Sequence, residues 1–262
     1  MRRYLRLLAL YFKINVQNDA AYRFDFLMRI VLAIFSLIGE LFTLWVIFAN
    51  AKSLAGWSAY DAIVLLGVFR IMVALISMVI APSMRATMED VRKGTLDFLL
   101  LKPLNAQFAA SFRQIVIWRL ADAILGLALV IGGVTLGESH FSAATAGQFV
   151  VTLTAGAIII YSFWLILATT VFWFTRIANI EMVFWNVFHA GRYPIDVYRP
   201  WVRWTLTFIL PMAFLTTFPA GALVGRNPPT ALWAAVVVAP AMFIAATAFW
   251  RFGVRRYSGA SA

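Results

Sequence analysis

Long apolar stretches alternate with shorter polar ones along the chain, and this pattern predicts an all-α membrane protein. A helix needs about 20 apolar residues to cross the hydrocarbon core of a bilayer. Five stretches have this character without ambiguity: residues 26–49, 61–81, 114–136, 148–174 and 230–250. The pattern shows no separate soluble domain, so we expect residues 1–262 to form one membrane domain.

The N-terminal residues predict a helix that lies in the membrane surface. Residues 2–23 mix basic side chains, such as Arg6 and Lys13, with apolar ones, such as Leu5 and Phe12. A helix with a basic face and an apolar face binds at the boundary between lipid headgroups and acyl chains. We therefore expect an interfacial helix before the first span.

The distribution of lysine and arginine predicts the orientation in the membrane. The N-terminal segment, the polar stretch at 82–113 and the C-terminal tail are rich in these residues, whereas the loops on the opposite side carry Lys52 and Arg226. Cytoplasmic loops of membrane proteins carry the excess of basic residues. The pattern predicts a multi-pass inner-membrane protein, with both termini in the cytoplasm and an even number of crossings.

Two arrangements of the region after the fourth span keep that even number. In the first, residues 204–224 form the fifth span, and the arginines before them stay in the cytoplasm. In the second, residues 176–190 form the fifth span, and residues 200–224 are re-entrant helices on the outer side, with hinges near Pro211 and Pro219. Broken helices are tolerated at membrane depth where protein covers them. The charge pattern favours the first arrangement.

Composition agrees with a membrane protein and excludes several other classes. Hydrophobic residues make up 63% of the 262 residues and charged residues 13%, whereas soluble domains are roughly 45–50% apolar. The net charge of +11 lies in the polar loops, so we expect membrane lipid and no nucleic acid as a partner. The chain has no cysteine, no nucleotide-binding P-loop and no hydrolase motif. We therefore expect neither catalytic activity nor a metal site.

Two charged residues stand in the middle of predicted spans, Glu40 in the first and Arg70 in the second. A charge in the hydrocarbon core is energetically costly and marks a functional candidate. Pairing between helices lowers that cost, and Arg70 has two candidate partners, Glu40 and Glu181. A structural ion pair and a place in a transport pathway are both compatible with the sequence.

Other polar residues near the spans also have two interpretations. Asn179, Glu181 and Asn186 are compatible with a pathway lining or with hydrogen bonds between helices. Asp122 follows Arg119 by three residues, which predicts an ion pair near the cytoplasmic end of the third span.

The polar stretch between the second and third spans is the most distinctive part of the chain. Residues 83–93 predict a short helix that ends at Gly94, and Arg92 and Lys93 suit the negative end of the helix dipole. An apolar patch follows at 96–101. Exposed apolar residues on a cytoplasmic loop indicate a protein partner, and a helix resting on the membrane surface is the alternative.

This stretch resembles a motif of type-2 ABC exporter permeases. Residues 92–103 read RKGTLDFLLLKP, which is similar to the RxGxLDxLLLKP motif of these permeases. A second block reads HAGRYPIDVY at 189–198 and LTFILPMAF at 206–214, which is similar to the GRYPxDxY…LTFxxPxAF signature of a bacterial subfamily of efflux permeases. The chain departs from that subfamily at Arg70, where an uncharged polar residue is usual.

The resemblance implies a fold of six transmembrane helices with an N-terminal interfacial helix, a cytoplasmic coupling helix and re-entrant helices between spans five and six. It therefore favours the second arrangement, with the re-entrant segment at 200–224. The coupling helix docks on a separate ATPase subunit and corresponds here to the segment 83–103. The residues assigned to this ATPase coupling are Arg85, Glu89, Arg92, Gly94, Asp97 and Lys102.

The function that the resemblance implies is that of the permease subunit of an ATP-driven exporter. ATP-binding cassette subunits would hold ATP and magnesium, and two permeases, identical or related, would pair in the membrane. The cargo would be amphipathic or hydrophobic, such as a drug, a lipid or a glycolipid. An ion-coupled carrier that uses Glu40, Arg70 and Glu181 is one alternative. A non-transport scaffold is another, but it leaves the motif at 92–103 unexplained.

Overall fold

Helices account for most of the chain that the computed structural model describes, which comprises residues 2–21, 23–137, 142–174 and 178–257. The predicted all-α class is confirmed. The α-helices are α1 (Arg2–Ala21), α2 (Arg23–Asn50), α3 (Ala59–Leu75), α4 (Ala81–Lys93), α5 (Asp97–Leu100), α6 (Ala106–Phe112), α7 (Leu120–Leu136), α8 (Ala143–Thr170), α9 (Ala178–Phe188), α10 (Pro200–Phe208), α11 (Phe218–Val224) and α12 (Pro229–Arg256).

Five helical stretches in the described residues are long and apolar enough to cross a membrane, and each overlaps one of the five apolar stretches of the sequence. These stretches are Phe24–Asn50, Ala59–Lys93, Ile117–Leu136, Ala143–Thr170 and Thr230–Arg256. Two further helical segments, Pro200–Phe208 and Ala213–Val224, are long and apolar enough to cross a membrane only if they are counted together as one span.

One helix is much longer than a bilayer requires. α3 continues through a π-helical stretch, Ile76–Ile80, directly into α4, and the whole rod comprises 35 residues. At 1.5 Å per residue such a rod is about 52 Å long, whereas the hydrocarbon core is about 30 Å thick. The short helix expected at 83–93 is therefore the protruding end of this rod and not a separate element.

Pro82 does not interrupt the rod, because another segment replaces the hydrogen bond that proline cannot make. Proline has no N–H to donate to the carbonyl four residues earlier, here that of Met78. The N–H of Val116 donates to that carbonyl instead, at 2.8 Å. Ser83 adds a bond from its hydroxyl to the carbonyl of Gln114, at 3.0 Å. Residues 114–116 therefore run beside the rod, and the third helical stretch begins at Ile117, later than the expected 114.

Both ends of the rod carry capping residues that the sequence displays locally. The Ser58 hydroxyl accepts from the Asp61 N–H (3.2 Å), and the Asp61 carboxylate accepts from the Ser58 N–H (3.0 Å). Gly94 ends α4 in the left-handed conformation (φ +68°), as its place in the sequence predicts. We name the two ends of the helix bundle after the loops they carry, the Trp57 end and the Gly94 end.

α3 and α7 pack with their backbones in contact. A Cβ atom added at Gly67 would lie 2.6 Å from the carbonyl oxygen of Gly126, and one added at Gly126 would lie 2.7 Å from that of Gly67. Two turns further along α7, a Cβ atom added at Gly133 would lie 2.7 Å from the Val64 side chain and 3.0 Å from the carbonyl oxygen of Tyr60. Small residues allow helices in a membrane to approach closely enough for strong van der Waals packing. These glycines therefore fix the distance between α3 and α7.

The chain after α8 passes along most of the rod in a partly irregular form. At the Gly94 end, Glu181 of α9 forms an ion pair of 2.5 Å with Arg85 of α4. At the Trp57 end, Asp196 accepts a hydrogen bond of 3.2 Å from the indole N–H of Trp57. Short 3-10 turns connect α9 to this second contact. The expected fifth span at 176–190 begins in residues outside the described ranges.

Two helical arms follow and are bent against each other by 77°. The first arm is α10, and the second combines a π-helical stretch, Ala213–Thr217, with α11. Beyond the second arm, Arg226 donates to the carboxylate of Asp61 at 3.2 Å. Because Asp196 precedes the first arm and also contacts the Trp57 loop, both ends of the bent segment lie at the Trp57 end.

The bend lies next to Pro211, one of the two expected hinges. Pro219 lies in the first turn of α11, inside the second arm and away from the bend. The second arm is buried against α8, where a Cβ atom added at Gly156 would lie 2.6 Å from the carbonyl oxygen of Phe214. The second arm is thus covered by protein, whereas the first arm ends in exposed side chains, Phe208 and Ile209.

Candidate functional site

A cluster of buried charges lies inside the helix bundle, centred on Arg70. Its Nε donates to Glu40 at 2.8 Å, and its Nη1 donates to Asp122 at 3.1 Å. Its Nη2 donates to the hydroxyl of Ser36 at 3.2 Å. The Arg70 side chain is only 4% exposed, so it depends on these partners for its solvation. α2, α3 and α7 each contribute to the cluster.

Two further arginines extend the cluster in opposite directions. Arg119 lies 3.1 Å from the second oxygen of Asp122, and Arg192 lies 3.7 Å from Glu40. Each of the two carboxylates therefore bridges two guanidinium groups. Arg192 also lies over the ring of Phe69, with 5.5 Å between the guanidinium carbon and the ring centroid. The cluster thus reaches from α7 to the segment that follows α9.

The cluster agrees with the sequence analysis in part. Of the two partners considered for Arg70, Glu40 is present and Glu181 is not. The expected pair of Arg119 and Asp122 is also present, but Asp122 is buried and bonds Arg70 as well. This second contact joins α7 to α3, and no pattern of neighbouring residues in the sequence predicts it. Gly67 and Gly126 could have indicated this contact from the sequence. They lie on the same helix faces as Arg70 and Asp122, and they mark where α3 and α7 touch.

Glu181 belongs to a separate contact nearer the Gly94 end. Its carboxylate pairs with Arg85 and accepts a hydrogen bond of 3.3 Å from the indole N–H of Trp185. The pair joins α4 to α9. Asn186 lies on the exposed side of α9, and the side chain of Asn179 is outside the described part of the structure.

The Gly94 end carries a folded tip, which we define as residues 94–103. Leu96 and Leu99 point inward and pack in a cluster with residues of α6 and those that follow α8 and α12. Phe98 and Leu101 point outward and are 73% and 81% exposed. The tip is therefore anchored to the bundle by one set of leucines while it displays two apolar side chains.

Charged residues surround this tip. Glu89 pairs with Lys93 at 3.1 Å and with Arg92 at 3.5 Å on the exposed side of α4. Asp90, which the sequence analysis did not single out, pairs with Arg113 at 2.5 Å. Because Asp90 lies before the tip and Arg113 after it, this pair holds the two ends of the loop together.

The six residues assigned to ATPase coupling divide into two groups in space. Arg85 contacts α9 and lies away from the tip. The other five lie on the last turns of α4 or in the tip: Glu89, Arg92, Gly94, Asp97 and Lys102. Lys102 is exposed beside Leu101, and Asp97 begins α5.

Tyr257 links the tip to the end of α12. It belongs to the cluster formed by Leu96 and Leu99, and its ring packs against Phe172 with 5.8 Å between the centroids. Burial, followed by the nearby charge of Asp97, raises the pKa of the Tyr257 hydroxyl above its ordinary value.

A second polar region lies at the Trp57 end, around a cavity of about 610 Å³ between α10 and the loops. Asp196 pairs with Arg203 at 2.8 Å and also accepts from Trp57. Arg226 pairs with Asp61. Arg203 and Arg226 thus have carboxylate partners, which the sequence pattern did not reveal.

Comparison with known proteins agrees with this architecture. Among curated proteins, no sequence matches the chain. The family model described as ABC-2 family transporter protein matches residues 34–261, which include the charge cluster, the tip and the bent segment. The match extends over far more than half of the chain, and the structure supplies helices that are long and apolar enough to cross a membrane several times. The chain therefore belongs to the ABC-2 family of transporter proteins, which are multi-pass membrane proteins.

Proposed function

We propose that this chain is the permease subunit of an ATP-driven exporter and that its ATPase partner docks on the tip at residues 94–103. Exposed Phe98 and Leu101 carry the proposal. Two adjacent apolar side chains on a protruding, well-packed tip mark a protein contact. Permeases of the ABC-2 family work with ABC ATPases in general.

Charge supports a cytoplasmic position for the Gly94 end, and with it for the tip and both termini. Basic residues are concentrated there, as the positive-inside rule requires. At the Trp57 end, Arg203 and Arg226 are paired with Asp196 and Asp61 and add little net charge, which leaves Arg199 as an exposed cation there. The protein would then lie in the bacterial inner membrane.

The contacts of the region after α8 support the second of the two arrangements. α9 and the 3-10 turns after it connect a contact at the Gly94 end with one at the Trp57 end, so they serve as the fifth crossing. The bent segment starts and finishes at the Trp57 end and therefore serves as a re-entrant pair on the outer side. α12 is the sixth crossing.

A continuous rod supports transmission of movement from the tip into the membrane. From Gly94 to Arg70 the rod spans about 36 Å at 1.5 Å per residue. Closure of the ATPase subunits around ATP and magnesium would displace the tip, and the rod would carry this displacement to the Arg70 cluster. The pair of Arg85 and Glu181 would transmit part of it to α9. A free-energy source in a separate subunit thereby biases the permease between two conformations.

Export requires two permease chains, identical or related, in one membrane complex. α2 leaves room for such a partner, because only 11% of its most apolar stretch is buried within the chain. Lipid or a second permease would cover this surface. The cargo class, an amphipathic or hydrophobic molecule such as a drug, a lipid or a glycolipid, rests on the family resemblance.

An ion-coupled carrier receives no support from the charge cluster. Glu40 and Asp122 each bridge two arginines. Both carboxylates are therefore fully engaged in ion pairs between elements of the bundle.

The docking proposal is tested by purifying the complex from cells that contain the partner ATPase. Replacing Phe98 and Leu101 with aspartate should lower the amount of bound ATPase about tenfold or more, because charged side chains cannot fill an apolar pocket. The conservative pair Phe98→Leu and Leu101→Met is the matched control and should retain the ATPase. Both variants should unfold at the wild-type temperature, since the two side chains are exposed. A stoichiometric ATPase on the aspartate variant would refute docking at the tip.

A further inference from the structure

A polar cavity of about 700 Å³ lies between the Arg70 cluster and the Gly94 end. The rod contributes its wall from Val73 to Arg85, and α2, α9 and the segment before α7 complete it. Four charged residues line it, namely Asp25 and three arginines: Arg29, Arg85 and Arg119. The mechanism described above uses Arg85 only as the ion-pair partner of Glu181 and places no ligand in this cavity.

Tryptophans hold these arginines in place. The guanidinium carbons of Arg29 and Arg119 lie 5.0 Å and 4.0 Å from the ring centroid of Trp118, so one indole contacts both cations. Arg85 is held by Glu181, which Trp185 fixes through its indole N–H. The cavity therefore has preorganised cations and not merely solvated basic side chains.

The charges around the cavity do not cancel. In the described residues, the ion pairs that contain its arginines and the adjoining Arg70 cluster include five arginines and four carboxylates, which leaves one positive charge in excess. The arginines are Arg29, Arg70, Arg85, Arg119 and Arg192, and the carboxylates are Asp25, Glu40, Asp122 and Glu181. Each guanidinium has five N–H donors. Arg29 and Arg85 are about half exposed and keep donors free for a ligand.

The depth of the cavity indicates an amphiphile. Arg29 lies in the second turn of the apolar helix α2, at the end of that helix nearer the Gly94 end. Trp118 and Trp185 are of the residue type that is enriched at lipid headgroup level. Ser77, within the π-helical stretch, also lines the cavity, and π-helical turns are frequent at functional sites. A phosphate or carboxylate in the cavity would sit at headgroup depth, and an attached acyl chain would reach lipid.

We propose that this cavity binds the phosphate or carboxylate headgroup of an anionic amphiphile taken from the cytoplasmic leaflet. Arg29, Arg85 and Arg119 supply charge-assisted hydrogen bonds to the headgroup. That the bound amphiphile is cargo rests on the proposed export function, whereas the binding itself does not.

The test measures lipid binding to the purified full-length chain by native mass spectrometry and thermal unfolding. Dioleoyl phosphatidylglycerol is the probe, and dioleoyl phosphatidylcholine is the neutral reference. We expect the wild type to retain the anionic lipid preferentially. Arg29→Gln and Arg85→Gln should each weaken its binding about fivefold, the loss expected for one charge-assisted hydrogen bond in a partly solvated site. Glutamine still donates to Asp25 or Glu181, so folding should persist in the neutral lipid.

Arg92→Gln is the matched control, because Arg92 lies on α4, pairs with a glutamate and is outside the cavity. It should leave lipid binding unchanged. An equal loss in Arg92→Gln would mean attraction to basic surface charge alone and would overturn the proposal. Competition by glycerol 3-phosphate as strong as that of the lipid would identify a soluble anion and would also overturn it.

The export function fails or stands independently of this result. ATPase co-purification without any preference for the anionic lipid would overturn the cavity proposal and leave the exporter intact. Selective lipid binding without an ATPase partner would support the cavity and count against the exporter.

Discussion

Arg70 and Asp122 form a buried ion pair of 3.1 Å between α3 and α7. The pair lies one turn from Gly67 and Gly126, the two glycines that bring these helices into backbone contact. Close packing and charge pairing therefore depend on each other, because the short Asp122 side chain reaches the guanidinium only if the helices touch. Glu40 supplies the second carboxylate from α2.

Replacing Arg70 with methionine should destabilise the protein strongly. The substitution leaves Glu40 and Asp122 buried with fewer cations, and breaking a buried pair in this way costs about 3–5 kcal/mol. A marked fall in the unfolding temperature in detergent is expected. Arg29→Gln, at an exposed pair, is the control and should change stability by less than about 1 kcal/mol.

A second variant separates charge from packing at Arg70. Combining Arg70→Met with Glu40→Gln and Asp122→Asn removes the uncompensated carboxylates and should restore part of the lost stability. If Arg70→Met alone unfolds at the wild-type temperature, the cluster contributes nothing to the fold.

The glycine contact predicts a large difference between neighbouring positions on α7. Gly126→Ala places a methyl group 2.7 Å from the carbonyl oxygen of Gly67, and such overpacking costs typically about 1–3 kcal/mol. Gly132→Ala is the matched control, since nothing lies within 4 Å of its added Cβ atom. Thermal unfolding in detergent should separate the two variants. Equal behaviour would mean that α3 and α7 are not in backbone contact.

The arrangement of the bent segment is testable by cysteine labelling, because the chain has no native cysteine. Arg199→Cys and Pro228→Cys flank the segment at exposed positions. A membrane-impermeant maleimide added outside intact cells should label both, as it labels Lys52→Cys, and should spare Lys93→Cys until the membrane is opened. Labelling of only one flanking cysteine from outside would show that residues 200–224 cross the membrane.

Gly94 should tolerate few substitutions, because it ends α4 with φ at +68°. Alanine in the left-handed region costs roughly 1–2 kcal/mol, and asparagine costs less. We expect Gly94→Ala to lower both the unfolding temperature and the amount of bound ATPase, with Gly94→Asn between alanine and the wild type. An identical complex in all three proteins would indicate that the tip does not depend on this turn.

Features that depend on residue type and on the linear pattern could be predicted from the sequence. The apolar stretches predicted the long helices, and Gly94 predicted the end of α4. Glu40 was a correct candidate partner for Arg70. Each of these predictions depends on propensities, on hydrophobicity or on the scarcity of charges in spans, and the linear pattern contains all three.

Tertiary structure decided the remaining features, because their free energy comes from groups far apart in the chain. Arg70 meets Asp122 across 52 positions, and Arg85 meets Glu181 across 96. Pro82 continues the rod only because Val116 bonds the carbonyl that proline leaves free. The charge pattern favours a cytoplasmic placement of residues 192–203 because it counts arginines as free cations, whereas in the fold Arg192 and Arg203 are paired with Glu40 and Asp196.

The sequence by itself determined that this protein is an α-helical membrane protein with a motif-bearing polar loop, because transfer of long apolar stretches into lipid dominates the free energy. The tertiary structure alone decided which buried charges meet, where the chain turns back at the Trp57 end and which two side chains of the tip face outward. Those outcomes depend on which side chains of facing helices come within a few ångströms of each other, and the order of residues along the chain does not contain these distances.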